Sequence, residues 1–200
     1  MSSSVWLKQV EEGLMKEIRS CVRYVNDSGN RVEVNRVMVK KPEEDFLHLT
    51  GDDEDIELPC VTISNYMNMY DKKRVTSDNN TPVIISIHGN SAEVEDKAKP
   101  FRLYYQIDFW AEYADDIDQM TLSWLDKHSR WFNLEVVDNG GTERTCYASI
   151  NGSIIRSDQS VKDKRLFRAI INYCIRVEID ENNRYNTAIT TERKVAVAKQ

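Results

Sequence analysis

Three histidines, four cysteines and one run of carboxylates are the residues of this 200-residue chain whose types invite a chemical role. His48, His88 and His128 stand apart, with no H-E-x-x-H pair and no cysteine at metal-ligand spacing. They read as core or surface histidines, and His128 closes an apolar helical stripe. Cys21, Cys60, Cys146 and Cys174 form no C-x-x-C pair and each falls inside an expected helix or strand, so buried free thiols are expected. The run "GDDEDIE" at 51–57 suggests a cation, but an EF-hand loop needs oxygen ligands on alternate positions, a glycine at the sixth and a glutamate at the twelfth. A solvated acidic loop fits better. "NGGTE" and "INGSI" are glycine-containing turns outside the strand–loop–helix context that aims amides at phosphate, and no G-x-S-x-G is present. The sequon at 151–153 has no meaning in a cytosolic protein. No catalytic, cofactor or metal site is therefore expected, and the chain reads as a non-enzyme.

The elements are clearer than the chemistry. Phe101, Leu103, Tyr105, Ile107, Phe109 and Ala111 alternate with Arg102, Tyr104, Gln106, Asp108, Trp110 and Glu112, the period of a strand with one buried face. The period then changes. Ile117, Met120, Thr121, Trp124, Leu125 and His128 make one helical stripe, with Asp116 and Gln119 placed as a capping box and acidic residues where the helix dipole is positive. An N-terminal helix is expected over 4–24 on Trp6, Val10, Leu14, Ile18, Cys21, Val22 and Val25, stopped by the turn cluster Asn26 to Asn30. In "RVEVNRVMV" the alternation slips at Asn35-Arg36, which predicts a bulge. Residues 40–57 hold eight acidic side chains among eighteen and predict a solvated loop.

"LPCVTIS" and "TPVIISIH" read as strands, joined by a segment whose Lys72, Lys73 and Arg74 form a candidate contact loop. In that segment "YMNMY" at 66–70 is either a contact surface or a continuation of the strand. "WFNLEVVD" and "RTCYASI" flank Asn139-Gly140-Gly141 as a hairpin, and a long strand alternates from Phe167 to Asp180. Together these predict an α+β fold: a mainly antiparallel sheet covered on one face by two helices, with long loops. One domain is expected over 1–180 and an extended C-terminal arm over 181–200, whose short β-compatible islands could add to a neighbour's sheet edge. The opposite sheet face, carrying Arg102, Gln106, Asp108, Arg168, Asn172, Arg176 and Glu178, is then wet or meets another molecule and is the candidate assembly or channel surface.

Composition bounds the function. A net charge of −6 and a pI near 5.2 argue against a dedicated nucleic-acid binder. No apolar run reaches the ~18 residues that span a bilayer, and the N-terminus lacks a signal-peptide pattern, so a cytosolic origin is expected.

An amphipathic N-terminal helix, then "LPCVTI", then "LYYQIDFWAE" running into the acidic-capped helix "DDIDQMTLSWL", then a strand pair and the closing strand "LFRAIINYCIRVEID", resembles the tail terminator (tail completion) proteins of long-tailed bacteriophages over about residues 4–180. The loop at 40–57 and the arm beyond 180 are longer than a minimal member needs. The resemblance implies a structural virion protein that forms a homo-hexameric ring on the head-proximal end of the tail tube. Such a ring halts tube polymerisation and offers the neck or connector protein its joining surface. Its partners would be the tail tube protein, the neck protein and, in a contractile tail, the sheath protein, with genomic DNA passing only in transit. The alternatives are another neck, head-completion or tail-tube structural protein, or a metal-dependent enzyme in which Asp52, Asp53, Asp55 or Glu57 converge with distant residues.

Overall fold

A computed structural model describes residues 3–26, 28–34, 36–39, 58–74, 83–88, 91–95, 98–137, 141, 143–161, 164–179 and 184–188. The acidic loop 40–57, His48 and the islands beyond 188 lie outside these residues. The chain forms two compact units, residues 2–70 with 101–177 and residues 71–100 with 178–200. Where one domain to 180 and an arm beyond it are expected, the C-terminal segment instead joins the 71–100 insertion.

The larger unit is built on a mixed seven-stranded sheet. Its order is β3 (Arg36–Val39), β4 (Cys60–Tyr70), β7 (Lys99–Ala111), β11 (Lys164–Ile179), β9 (Glu143–Ile150) and β8 (Trp131–Val137), with β10 (Ile155–Val161) also paired to β11. The expected α+β class holds, but β3 runs parallel to β4, which qualifies the antiparallel expectation. The slip at Asn35-Arg36 is a change of sheet rather than a bulge. Before it, β2 (Arg31–Glu33) pairs with β1 (Arg23–Val25) as a separate hairpin; after it, β3 joins the main sheet. The turn cluster closes that hairpin, with Gly29 at φ 75° and its N–H donating to the Asn26 carbonyl at 2.8 Å.

Helix α2 (Ala114–Lys127) follows its expected stripe, and helix α1 (Ser3–Cys21) does so from Val10 to Cys21. The expected extension to residue 24 is instead strand β1, where Val25 is exposed because its backbone pairs with β2 rather than continuing the helix. Val10, Leu14 and Ile18 of α1 are fully buried, as are Met120 and Trp124 of α2. They meet Leu103, Tyr105, Ile107 and Phe109 of β7, Phe132 and Leu134 of β8, and Ala169, Ile171, Tyr173 and Ile175 of β11 as one apolar core. Trp124 packs edge-on against Phe132 and Tyr173, and its indole N–H donates to the Tyr173 hydroxyl at 2.8 Å. Helix α1 touches both outermost strands, β8 and β3, so the sheet curls around it. At Gly13 the helix lies close against β8: an added Cβ would lie 2.9 Å from the Glu135 carbonyl oxygen. The capping box is a misreading. Tyr113 is the N-cap and makes no side-chain cap bond, while the Gln119 side chain accepts the Val25 N–H at 2.7 Å and fastens β1 to α2.

The smaller unit holds a three-stranded antiparallel sheet of order β12 (Arg184–Ala188), β6 (Ser91–Glu95), β5 (Val83–His88). Part of the expected arm is thus a strand on β6 of its own chain. The Arg74 guanidinium pairs with Glu178, and the Asp71 N–H donates to the Pro100 carbonyl at 2.9 Å.

Candidate functional site: the polar face of the main sheet

Register decides which side chains share a face. Thr62 lies opposite Asp108, Ser64 opposite Gln106, and Tyr147 opposite both Arg176 and Asn133, so the polar positions of β4, β7, β11, β9 and β8 form one surface. This surface has a dry half and an exposed half. In the dry half Asp108 has no exposed surface, and its carboxylate accepts from Arg168 Nε at 3.0 Å and from Gln106 Nε2 at 2.9 Å. The Arg168 guanidinium also lies 4.6 Å from the centre of the buried Trp110 ring, whose N–H donates to Thr62 Oγ1 at 3.3 Å. Ser64 Oγ and Asn172 Oδ1 are buried without a hydrogen-bond partner. Asp108, expected on a face that is wet or meets another molecule, is instead buried with its charge matched by Arg168 inside the subunit, because a desolvated carboxylate must be matched by a cation.

The exposed half carries aromatic rings. Trp131 of β8 stacks on Tyr147 of β9, with centroids 5.7 Å apart and planes 20° apart, and Arg176 of β11 lies 5.4 Å from the Tyr147 ring. Trp131 is 57% exposed and Tyr147 38%. Of the seven expected surface residues, the sheet gathers Gln106, Asp108 and Arg168 into the dry cluster and places Arg176 at the aromatic pair. Arg102 is half-buried on β7, where its Cα partner is Met69. Glu178 belongs to the smaller unit and is joined there to Arg74 of the expected contact loop, whose Lys72 and Lys73 are exposed. The residues 66–70 continue β4, and Tyr66, Met67, Met69 and Tyr70 are all exposed.

Sequence reasoning missed Trp131 and Tyr147. The signal was the outward phase of "WFNLEVV", where a tryptophan shares the exposed parity with Asn133 and Glu135. It also missed a second cluster, where the C-terminal ends of α1 and α2 meet. Cys21 Sγ lies 3.5 Å from His128 Nε2 and 3.4 Å from Glu17 Oε1, and His128 Nε2 lies 3.1 Å from the same carboxylate oxygen. Lys127 Nζ reaches Glu17 Oε1 at 2.9 Å and Cys21 Sγ at 3.3 Å. Burial lowers the His128 pKa against the pull of Glu17, so the imidazole is neutral at neutral pH. Burial likewise pushes the Cys21 thiol up. Burial alone would raise the Glu17 carboxyl, but hydrogen bonds from Lys127 and Cys21, with the charge of Lys127, outweigh it and leave Glu17 lowered. The four cysteines are free thiols, three of them buried. Among the described residues no helix is long and apolar enough to cross a membrane. The sequence matches no protein-family model, and no curated protein aligns with it significantly.

Proposed function

We propose that this chain is a ring-forming structural protein of a long-tailed phage particle, acting as the tail terminator. Six copies close on the head-proximal end of the tail tube, stop its growth and present the surface to which the neck attaches. The protein is assembled in the host cytoplasm and retained in the virion. The observation that carries this reading is the exposed Trp131–Tyr147–Arg176 ladder on the sheet face. Tryptophan, tyrosine and arginine are the residue types that dominate protein interfaces, and here they stand together on three adjacent strands of a rigid sheet. A cluster of this kind on a folded subunit serves a repeated, heterologous contact that ends when rotation closes the ring.

Two further features support the reading. The smaller unit exposes Ile84, Ile85 and Ile87 on one strand, an apolar patch suited to a second partner such as the tube or neck protein. A net charge of −6 suits a ring through which DNA passes, since like charge opposes adhesion. Electron microscopy of the purified protein with tube protein tests the proposal. Discrete caps on tube ends are expected from a terminator, whereas self-assembled tubes would assign the chain to the tube itself.

A further inference from the structure

We propose that Glu17, Cys21 and His128 form a binding site for one zinc-class divalent cation at the junction of α1 and α2. The three donors are a carboxylate oxygen, a sulfur and an imidazole nitrogen, the set that zinc selects. Their spacing fits the metal. Tetrahedral zinc with ordinary bond lengths separates sulfur from nitrogen by about 3.5 Å, sulfur from oxygen by about 3.5 Å and nitrogen from oxygen by about 3.3 Å. The corresponding distances here are 3.5, 3.4 and 3.1 Å. The three atoms thus already occupy one face of a zinc tetrahedron. Few small rearrangements remain for the metal to pay for.

The scaffold explains why they are so placed. Glu17 and Cys21 are one helical turn apart on α1, and Cys21 is its last residue. His128 is the C-cap of α2. Two helix C-termini, each with a partial negative charge, therefore converge on one point and favour a cation there. The Lys127 ammonium now serves that need, contacting two of the three donors. Its side chain is 54% exposed and can turn out into the adjoining groove, of about 390 Å³, which is lined by Ser20, Cys21, Arg23, Arg31, Ser123 and Lys127. The same groove gives a fourth ligand, a water, access to the metal. Before binding, the neutral imidazole carries its proton on Nε2, facing the Glu17 carboxylate 3.1 Å away. On binding, that proton shifts to Nδ1, which has no hydrogen-bond partner, so that Nε2 can ligate, while the Cys21 thiol releases one proton to solvent and becomes the thiolate ligand. Affinity therefore rises with pH, and Lys127 is a competitor rather than a ligand.

Cobalt(II) is the probe, titrated into the full chain after treatment with a chelator at about pH 7.5. One equivalent should produce a thiolate-to-cobalt charge-transfer band with the intense visible bands of a four-coordinate ion, and zinc should abolish both. Cys21→Ser should lose the charge-transfer band, whereas Cys60→Ser should keep it. Lys127→Met, a change at an exposed side chain, should bind about fivefold more tightly or better, since the competing ammonium is gone. Zinc should raise the melting temperature of the wild type and of Lys127→Met but not of Cys21→Ser. The site is refuted if neither the wild type nor Lys127→Met develops the charge-transfer band, or if Cys21→Ser retains it.

Discussion

Asp108 is a carboxylate with no exposed surface, and its stability rests on Arg168 and Gln106. Removing the cation leaves an uncompensated buried charge, which costs more than the pair contributes. Arg168→Met is expected to lower the unfolding free energy by about 3–5 kcal/mol in urea titrations. A double change, Asp108→Asn with Arg168→Met, should recover part of that loss. His128 gives a pH dependence of known sign. Its folded pKa is lowered from the ordinary 6.5, so the unfolded chain binds the proton more readily. The neutral ring's contribution is complete above about pH 6.5 and is lost as pH falls through that value toward the folded pKa. Glu17, also lowered, adds a loss of the same sign below its ordinary value of 4.5. The urea midpoint should therefore fall between about pH 7 and pH 5.5, and fall less in His128→Gln. An equal fall in both would place the titration elsewhere.

At the scale of elements, local patterning predicts what it controls. The strand-to-helix switch from β7 to α2, the β8–β9 hairpin and the alternating course of β11 were all legible, since each buries one apolar face. Their packing makes Trp124→Ala costly, with about 3–5 kcal/mol expected by denaturant unfolding, because the largest side chain of the α2 stripe is removed from a filled core. The strands β6, β10 and β12 were not read, because "SAEVE", "IRSDQSV" and "RYNTA" are largely polar and are specified by the neighbour they pair with rather than by a face of their own. The parallel β3–β4 pair and the Glu17–Cys21–His128 cluster depend on topology, joining segments that no local period connects. Gly13 shows the same limit. On propensity alone Gly13→Ala would stabilise α1 by about 1 kcal/mol. Against the Glu135 carbonyl 2.9 Å away it should instead destabilise by about 1–3 kcal/mol, as a melting curve would show.

At the scale of the whole molecule, the proposed function rests on surfaces. The larger unit offers the Trp131–Tyr147–Arg176 ladder and the smaller unit offers the isoleucines of β5. Both surfaces stand exposed beside the buried core, so truncations there test assembly apart from removal of core side chains. Trp131→Ala combined with Tyr147→Ala removes a stacked cross-strand pair and should cost about 1–2 kcal/mol, leaving the subunit folded, yet prevent ring closure. The most direct measurement is negative-stain imaging, with particle masses, of the wild type and this double variant mixed with tail-tube protein. Sixfold caps at one end of each tube are expected for the wild type, with bare, continuously growing tubes for the variant. Wild-type protein that leaves tube ends bare and growing, or a variant that caps them as well as the wild type, would contradict the proposal.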